Sequence, residues 1–258
     1  MNKPIVFISH ITEEKELAYK VKELIEESFL EMMEVFVSSD GESITAGDRW
    51  LDNITNSLTS CVIELILCSS ESIKRPWINF EAGAGWVRKI PVIPLCHSGM
   101  KKENLPIPLN MLQAINLNSI SDLNSLAPVL AAAINSRIPT IDFNNFVEYV
   151  KEFEKEYTIG NSFLEMFKIL DGPTKELLDS LDKKEVIGIN LGFVDNDVIK
   201  KLKSLESEKL KGFIEITVSK AGTIFTKDRG AINGGDVVLK INDSSVLIEN
   251  KKFLLDNL

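Results

Sequence analysis

Residues 61–81 read CVIELILCSSESIKRPWINFE, and this stretch decides the fold of the first half of the chain. Cys61 to Cys68 is an apolar run broken by one acid, Glu64. Such a run suits a strand buried on both faces of a parallel sheet. Pro76 stands where a helix would start, because proline tolerates the first helical position. That helix is expected to reach about Lys89.

The same alternation continues in both directions. Upstream, Ile5-Val6-Phe7-Ile8-Ser9 is a second apolar run. Thr12 is placed to cap the next helix, and Glu13, Glu14 and Glu16 favour its positive end. Leu17, Val21, Leu24 and Ile25 then recur at helical spacing. Glu34 to Ser38 reads as a strand, Ser39 to Gly47 as a polar loop, and Asp48 to Thr59 as a helix. Downstream, Ile90 to Leu95 is a fourth strand, placed nearer an edge by Pro91 and Pro94. A long loop runs from His97 to Leu109. Ala114 to Leu117 reads as a fifth strand and Ser121 to Ser136 as a closing helix.

Strands alternating with helices imply right-handed crossovers and a parallel sheet covered on both faces. Ligands of such sheets bind at the carboxyl ends of the strands. Here those ends are Ser9-His10, Ser38 to Asp40, Ser69 to Ser72 and His97.

Pro139, within 137–142, breaks the pattern, so the boundary is expected there, giving domains 1–137 and 138–258. In the second half, Asn145–Leu170, Thr174–Leu181 and Asn196–Glu206 read as helices. Phe213–Val218, Gly222–Phe225, Val237–Ile241 and Val246–Ile248 read as strands. This is a smaller α+β domain compatible with a winged-helix layout. Lys200, Lys201, Lys203, Lys209 and Lys211 cluster in it, but Glu206 and Glu208 interrupt them.

The chain has 258 residues, 44% hydrophobic and 26% charged, with a formal net charge of -9. That balance is ordinary for a soluble globular protein and argues against nucleic acid as a main partner. The three cysteines, Cys61, Cys68 and Cys96, fit neither a disulfide framework nor a metal knuckle. Buried thiols imply a reducing, cytoplasmic setting. No signal peptide is expected at the start, and no apolar run approaches the roughly 20 residues a bilayer requires. No metal is expected, because the two histidines are not spaced as a ligand pair, and no P-loop or nucleophile elbow occurs.

Four segments of the first half resemble landmarks of the Toll/interleukin-1 receptor (TIR) family, in order. They are Phe7-Ile8-Ser9-His10, the loop Ser39 to Trp50 with Gly47-Asp48-Arg49-Trp50, Cys68-Ser69-Ser70, and Arg75-Pro76-Trp77-Ile78-Asn79-Phe80-Glu81. The resemblance covers roughly 1–137. It implies a flavodoxin-like five-stranded parallel sheet with helices on both faces. The family contains non-catalytic scaffolds and enzymes that cleave NAD, many bacterial members of the latter acting in phage defence. Enzymatic members carry a glutamate at the position of Glu81.

The resemblance therefore implies an NAD glycohydrolase, with Glu81 as catalytic carboxylate and NAD as substrate rather than cofactor. Nicotinamide leaves a pyridinium as a neutral base, so the step needs no general acid. A fixed carboxylate can stabilise the ribosyl cation that remains. Trp77 lies one turn before Glu81 on the same helical face and offers a flat π-surface. Phe7 and Ser9 are expected beside the same crevice, and Asp40 and Arg49 on the loop that closes over it. Trp50 and Trp86 read as core or interface residues, His10 as the end of a strand and His97 as a loop histidine. Glu64 is a mid-strand acid whose charge is costly unless paired. Such enzymes are expected to self-associate, so the second domain is expected to sense an activating ligand or protein. The alternatives are a TIR scaffold and a DNA-binding regulator acting through the second half.

Overall fold

The computed structural model describes residues 3–38, 50–170, 174–181, 185–226 and 230–258, with side chains undescribed at 50–53, 226 and 257. The chain divides into two units, Met1–Lys155 and Glu156–Leu258.

The first unit holds β1 (Ile5–Ser9), α1 (Lys15–Ser28), β2 (Glu34–Val37), α2 (Trp50–Ser60), β3 (Ile63–Cys68), α3 (Pro76–Arg88), β4 (Val92–Cys96), β5 (Ile115–Asn116), α4 (Ile120–Ala133) and the start of α5 (Asn144–Leu170). Its strands form one parallel sheet in the order β2-β1-β3-β4-β5. The α/β reading of the sequence is thus met. β5 pairs only with Leu95 and Cys96, so beside Pro94 the sheet ends at β4.

Alternation along the strands sorts the two faces. Val6, Ile8, Ile63, Leu65 and Leu67 pack with α1, α4 and the start of α5. Phe7 pairs with Glu64 and Ser9 with Ile66 on the opposite face, beneath α2 and α3. This unit extends beyond the Arg137 boundary expected from the sequence. Phe143, Phe146, Val147 and Val150 bury themselves in its core. Glu154 also accepts bonds from the Ser98 backbone N–H (2.9 Å) and Asn118 Nδ2 (3.0 Å).

The second unit continues α5 and adds α6 (Thr174–Ser180), β6 (Ile187–Asp195), α7 (Asn196–Glu208), β7 (Ile214–Thr226), β8 (Gly230–Ile241), α8 (Ser245–Glu249) and α9 (Lys251–Asn257). The antiparallel sheet runs β6-β8-β7. Phe163, Phe167, Leu202, Leu239 and Leu247 lie at its core. Val246–Ile248, expected as a strand, forms α8 instead, since three apolar residues fit either period. Strand β6 and helix α9 were not expected. Between β6 and β7 the chain places a single helix, α7, whereas a helix-turn-helix reader places two in succession.

Bulges interrupt β6 near Asn190/Gly192 and β7 near Ser219/Gly222. Beyond Gly234, which still pairs with Asp195 of β6, β7 and β8 pair only with each other, from Thr223↔Asn233 to Thr226↔Gly230. Ile224 and Phe225 on this arm are 40% and 83% exposed. No described helix is long and apolar enough to cross a membrane.

Candidate functional site

The site is built from the carboxyl end of β1 and the first turns of α3. Pro76 opens α3 from an extended Arg75, and Lys89 closes it in the left-handed region (φ 59°). Trp77 and Glu81 stand one turn apart, as their spacing required. Glu81 is fully buried. One of its oxygens, Oε1, accepts from Trp77 Nε1 at 2.8 Å. The other, Oε2, accepts a short hydrogen bond from Ser9 Oγ. The carboxylate is thus held by a strand residue and by a residue of its own helix. It does not point into solvent.

Trp77 is half-buried, and its ring stacks on Phe80 with centroids 5.2 Å apart. Phe7 is fully buried among Ile54, Leu58 and Cys61, stacked on Phe36 at 5.5 Å. The structure therefore brings Phe7, Ser9, Trp77 and Glu81 to one side of the sheet. Asp40 and Arg49 lie outside the described residues.

Glu64 lies on the same face, in register with Phe7. Neither of its buried oxygens has a hydrogen-bond partner. Burial, and then the charge of Glu81, push its carboxyl up to about 9; Arg88 and the Gly85 backbone offset this only in part. A Cβ on Gly85 would stand 2.0 Å from Glu64 Oε2, so the glycine leaves the space that this acid fills.

A second buried polar cluster escaped the sequence reading. Glu14 accepts from Ser69 Oγ at 2.6 Å and lies 3.2 Å from His97 Nε2. Ser72 Oγ accepts from the Ser69 backbone N–H (2.8 Å) and donates to Leu67 O (3.1 Å). His97, the loop residue just after β4, is therefore buried against Glu14 and Phe153. The one available signal was that Ser69, Ser72 and His97 all end strands. The expected Thr12 cap is absent: Thr12 opens a 3-10 turn, and Glu14 reaches back to the Ile11 backbone N–H at 3.4 Å. His10 is buried with both ring nitrogens unpartnered, and burial holds its pKa below the ordinary value.

Burial pushes all three thiols up, Cys96 to about 11, which makes them poor nucleophiles. No group of acids, histidines and cysteines among the described residues can hold a metal ion. Of the second unit's lysines, Lys203 donates to Ile216 O and sits 3.3 Å from Glu206, while Lys209 pairs with Glu165 at 2.7 Å.

The family match falls within the first unit. Residues 6–130 match the family described as TIR domain. A 2' cyclic ADP-D-ribose synthase, AbTIR, from Acinetobacter baumannii is 28% identical over 137 residues, which are 51% of this chain and 49% of that protein. The chain spans about half the length of the curated relative it matches.

Proposed function

Given that residues 6–130 are a TIR domain, we propose that the chain cleaves the bond between nicotinamide and ribose in NAD. The observation that carries this reading is Glu81, buried and held at both oxygens by Ser9 and Trp77. The name of the similar synthase supports NAD-related chemistry of this kind.

The chemistry balances without a cofactor. The C1–N bond breaks and its electron pair stays on the ring nitrogen, so the pyridinium leaves as neutral nicotinamide. The ribose carries the positive charge left behind, and the Glu81 carboxylate stabilises it. Water then attacks C1 and loses a proton, giving ADP-ribose; attack by a hydroxyl of the same molecule gives a cyclic isomer. Two donors aimed at the carboxylate favour its ionised form and fix its direction. Trp77 and Phe7 supply aromatic surface beside it.

Because Glu81 is covered, NAD enters only when its neighbours part, and assembly of TIR copies is the natural trigger. The outer face of α3 suits such contacts: Phe80 and Val87, two turns apart, are 60% and 80% exposed. A role in antiphage defence, with the second unit as sensor, completes the reading. The test incubates the purified chain with NAD, alone and under crowding, and resolves the products. Glu81→Ala should cut turnover by at least about a thousandfold while leaving the fold intact. Absence of turnover in every assembled state, with partner binding that survives Glu81→Ala but fails when the 39–47 loop is changed, would establish a scaffold instead.

A further inference from the structure

Glu64 interrupts an otherwise apolar strand, and its fully buried carboxyl meets no hydrogen-bond donor of good geometry among the described residues. It shares the sheet face of Phe7 and Ser9, and it reaches the notch that Gly85 leaves in α3, one turn beyond Glu81. The nearby cation is already committed elsewhere. Arg88 donates to the Leu58 carbonyl, to Cys61 Sγ (3.2 Å) and to the Cys61 carbonyl (2.7 Å). From α3, Glu64 therefore faces Glu81, Arg88 and the Gly85 amide. From its own strand's approach it faces Cys61. β1 sets Phe7 opposite it, with Ser9 two residues farther along the same face, and β4 sets Val92 opposite it, none of them charged.

A buried carboxyl with no well-formed hydrogen bond among the described residues, an arginine already engaged elsewhere and a second carboxylate nearby is stable only with its proton on. We propose that Glu64 is a positioning residue of this site: a neutral acid, coupled to Glu81, that leaves Glu81 the sole anion between α3 and the sheet. Its part in turnover rests on the NAD-cleaving reading above. The consequence is electrostatic. The ribosyl cation needs one fixed negative charge, and Glu81 supplies it from the grip of Ser9 and Trp77. If Glu64 also ionised, like charges would repel across the interface and draw Glu81 out of that grip. Burial and Glu81 together place this ionisation at about 9, above neutral pH.

The experiment is a carbon-13 NMR titration of the full chain with labelled glutamate, as wild type, Glu64→Gln and Glu81→Gln, beside NAD turnover from pH 6 to 10. The wild type should show one carboxyl titrating near 9. That signal should vanish in Glu64→Gln and move down by at least about half a unit in Glu81→Gln, where the like charge is gone. Glu64→Gln should keep turnover at pH 7 within about threefold and lose the roughly tenfold alkaline fall of the wild type. A midpoint unmoved in Glu81→Gln overturns the coupling, even if Glu64→Gln proves unstable. An alkaline fall that persists in Glu64→Gln overturns the role in turnover. If no variant or assembled state cleaves NAD, the enzymatic reading fails while the titration still decides the coupling.

Discussion

Glu14 and Glu64 are both sealed inside the first unit, yet their surroundings answer them in opposite ways. Glu14 accepts from the Ser69 hydroxyl and the Ile11 backbone N–H and lies 3.2 Å from His97 Nε2, so polar groups from three separate segments converge on it. Glu64 makes no well-formed hydrogen bond among the described residues, and Arg88 and the Gly85 amide ease its charge only in part. Burying a carboxylate is costly, and the cost is offset either by donors or by keeping the proton. The first solution fastens the ends of β3 and β4 to the turn after β1. The second leaves an acid whose charge can still change, next to the one carboxylate proposed to do chemistry. Burial alone says little about a carboxyl group; what distinguishes a fastener from a switchable charge is the set of donors around it.

The contrast is most exposed to pH. The folded state holds the Glu64 proton up to about 9, whereas an unfolded glutamate releases it near 4.5. The native state thus binds more protons between those values, so stability falls as pH rises through that window. Relative to Glu64→Gln, the wild type should lose up to about 1.4 kcal/mol per pH unit between pH 5 and 8, read by urea denaturation. Parallel curves would mean that Glu64 is ionised and answered after all. Next in size, Glu14→Ala should cost about 2–3 kcal/mol at pH 7, because it strands Ser69 and His97. A loss below about 0.5 kcal/mol would erase the distinction between the two acids. Gly85→Ala should cost about 1–3 kcal/mol by overpacking onto Glu64 and Val92, and only the part owed to Glu64 should disappear in a Glu64→Ala background. The smallest effect belongs to Trp77→Phe, which keeps a ring but removes the donor to Glu81. Thermal stability should change by under about 1 kcal/mol while turnover drops about tenfold.

Much of this was legible in the sequence. The apolar runs at Ile5–Ser9, Cys61–Cys68 and Ile90–Leu95 carry strand information in themselves, because a strand buried on both faces needs no alternation. The spacing of Trp77 and Glu81 placed both on one helical face. Ser9 was expected beside them, but its bond to Glu81 depends on the stagger of α3 over β1, which no local pattern encodes. The Glu14 cluster was invisible for a similar reason: residues 14, 69 and 97 meet only after parallel crossovers have brought three strand ends together. The costly charge of Glu64 was readable, but its answer was not. It lies in Gly85, a helical glycine whose missing side chain matters only once α3 covers β3. In the second unit, Gly188, Asn190 and Gly192 broke up the signal of β6, and the unit's short apolar segments fit strand and helix equally well.

The paired arm of β7 and β8 beyond the Ser219/Gly222 bulge has a consequence of its own. Two strands with no third beside them are held by their backbone ladder and the bond from Thr223 Oγ1 to Asn233 Oδ1 (2.6 Å), which is marginal in water. Inward, Val237 and Leu239 sit in a packed core. Amide deuteration should therefore sweep along the arm from the Phe225–Ala231 rung and stall at Leu239, with the hairpin serving as a graded ruler of local opening.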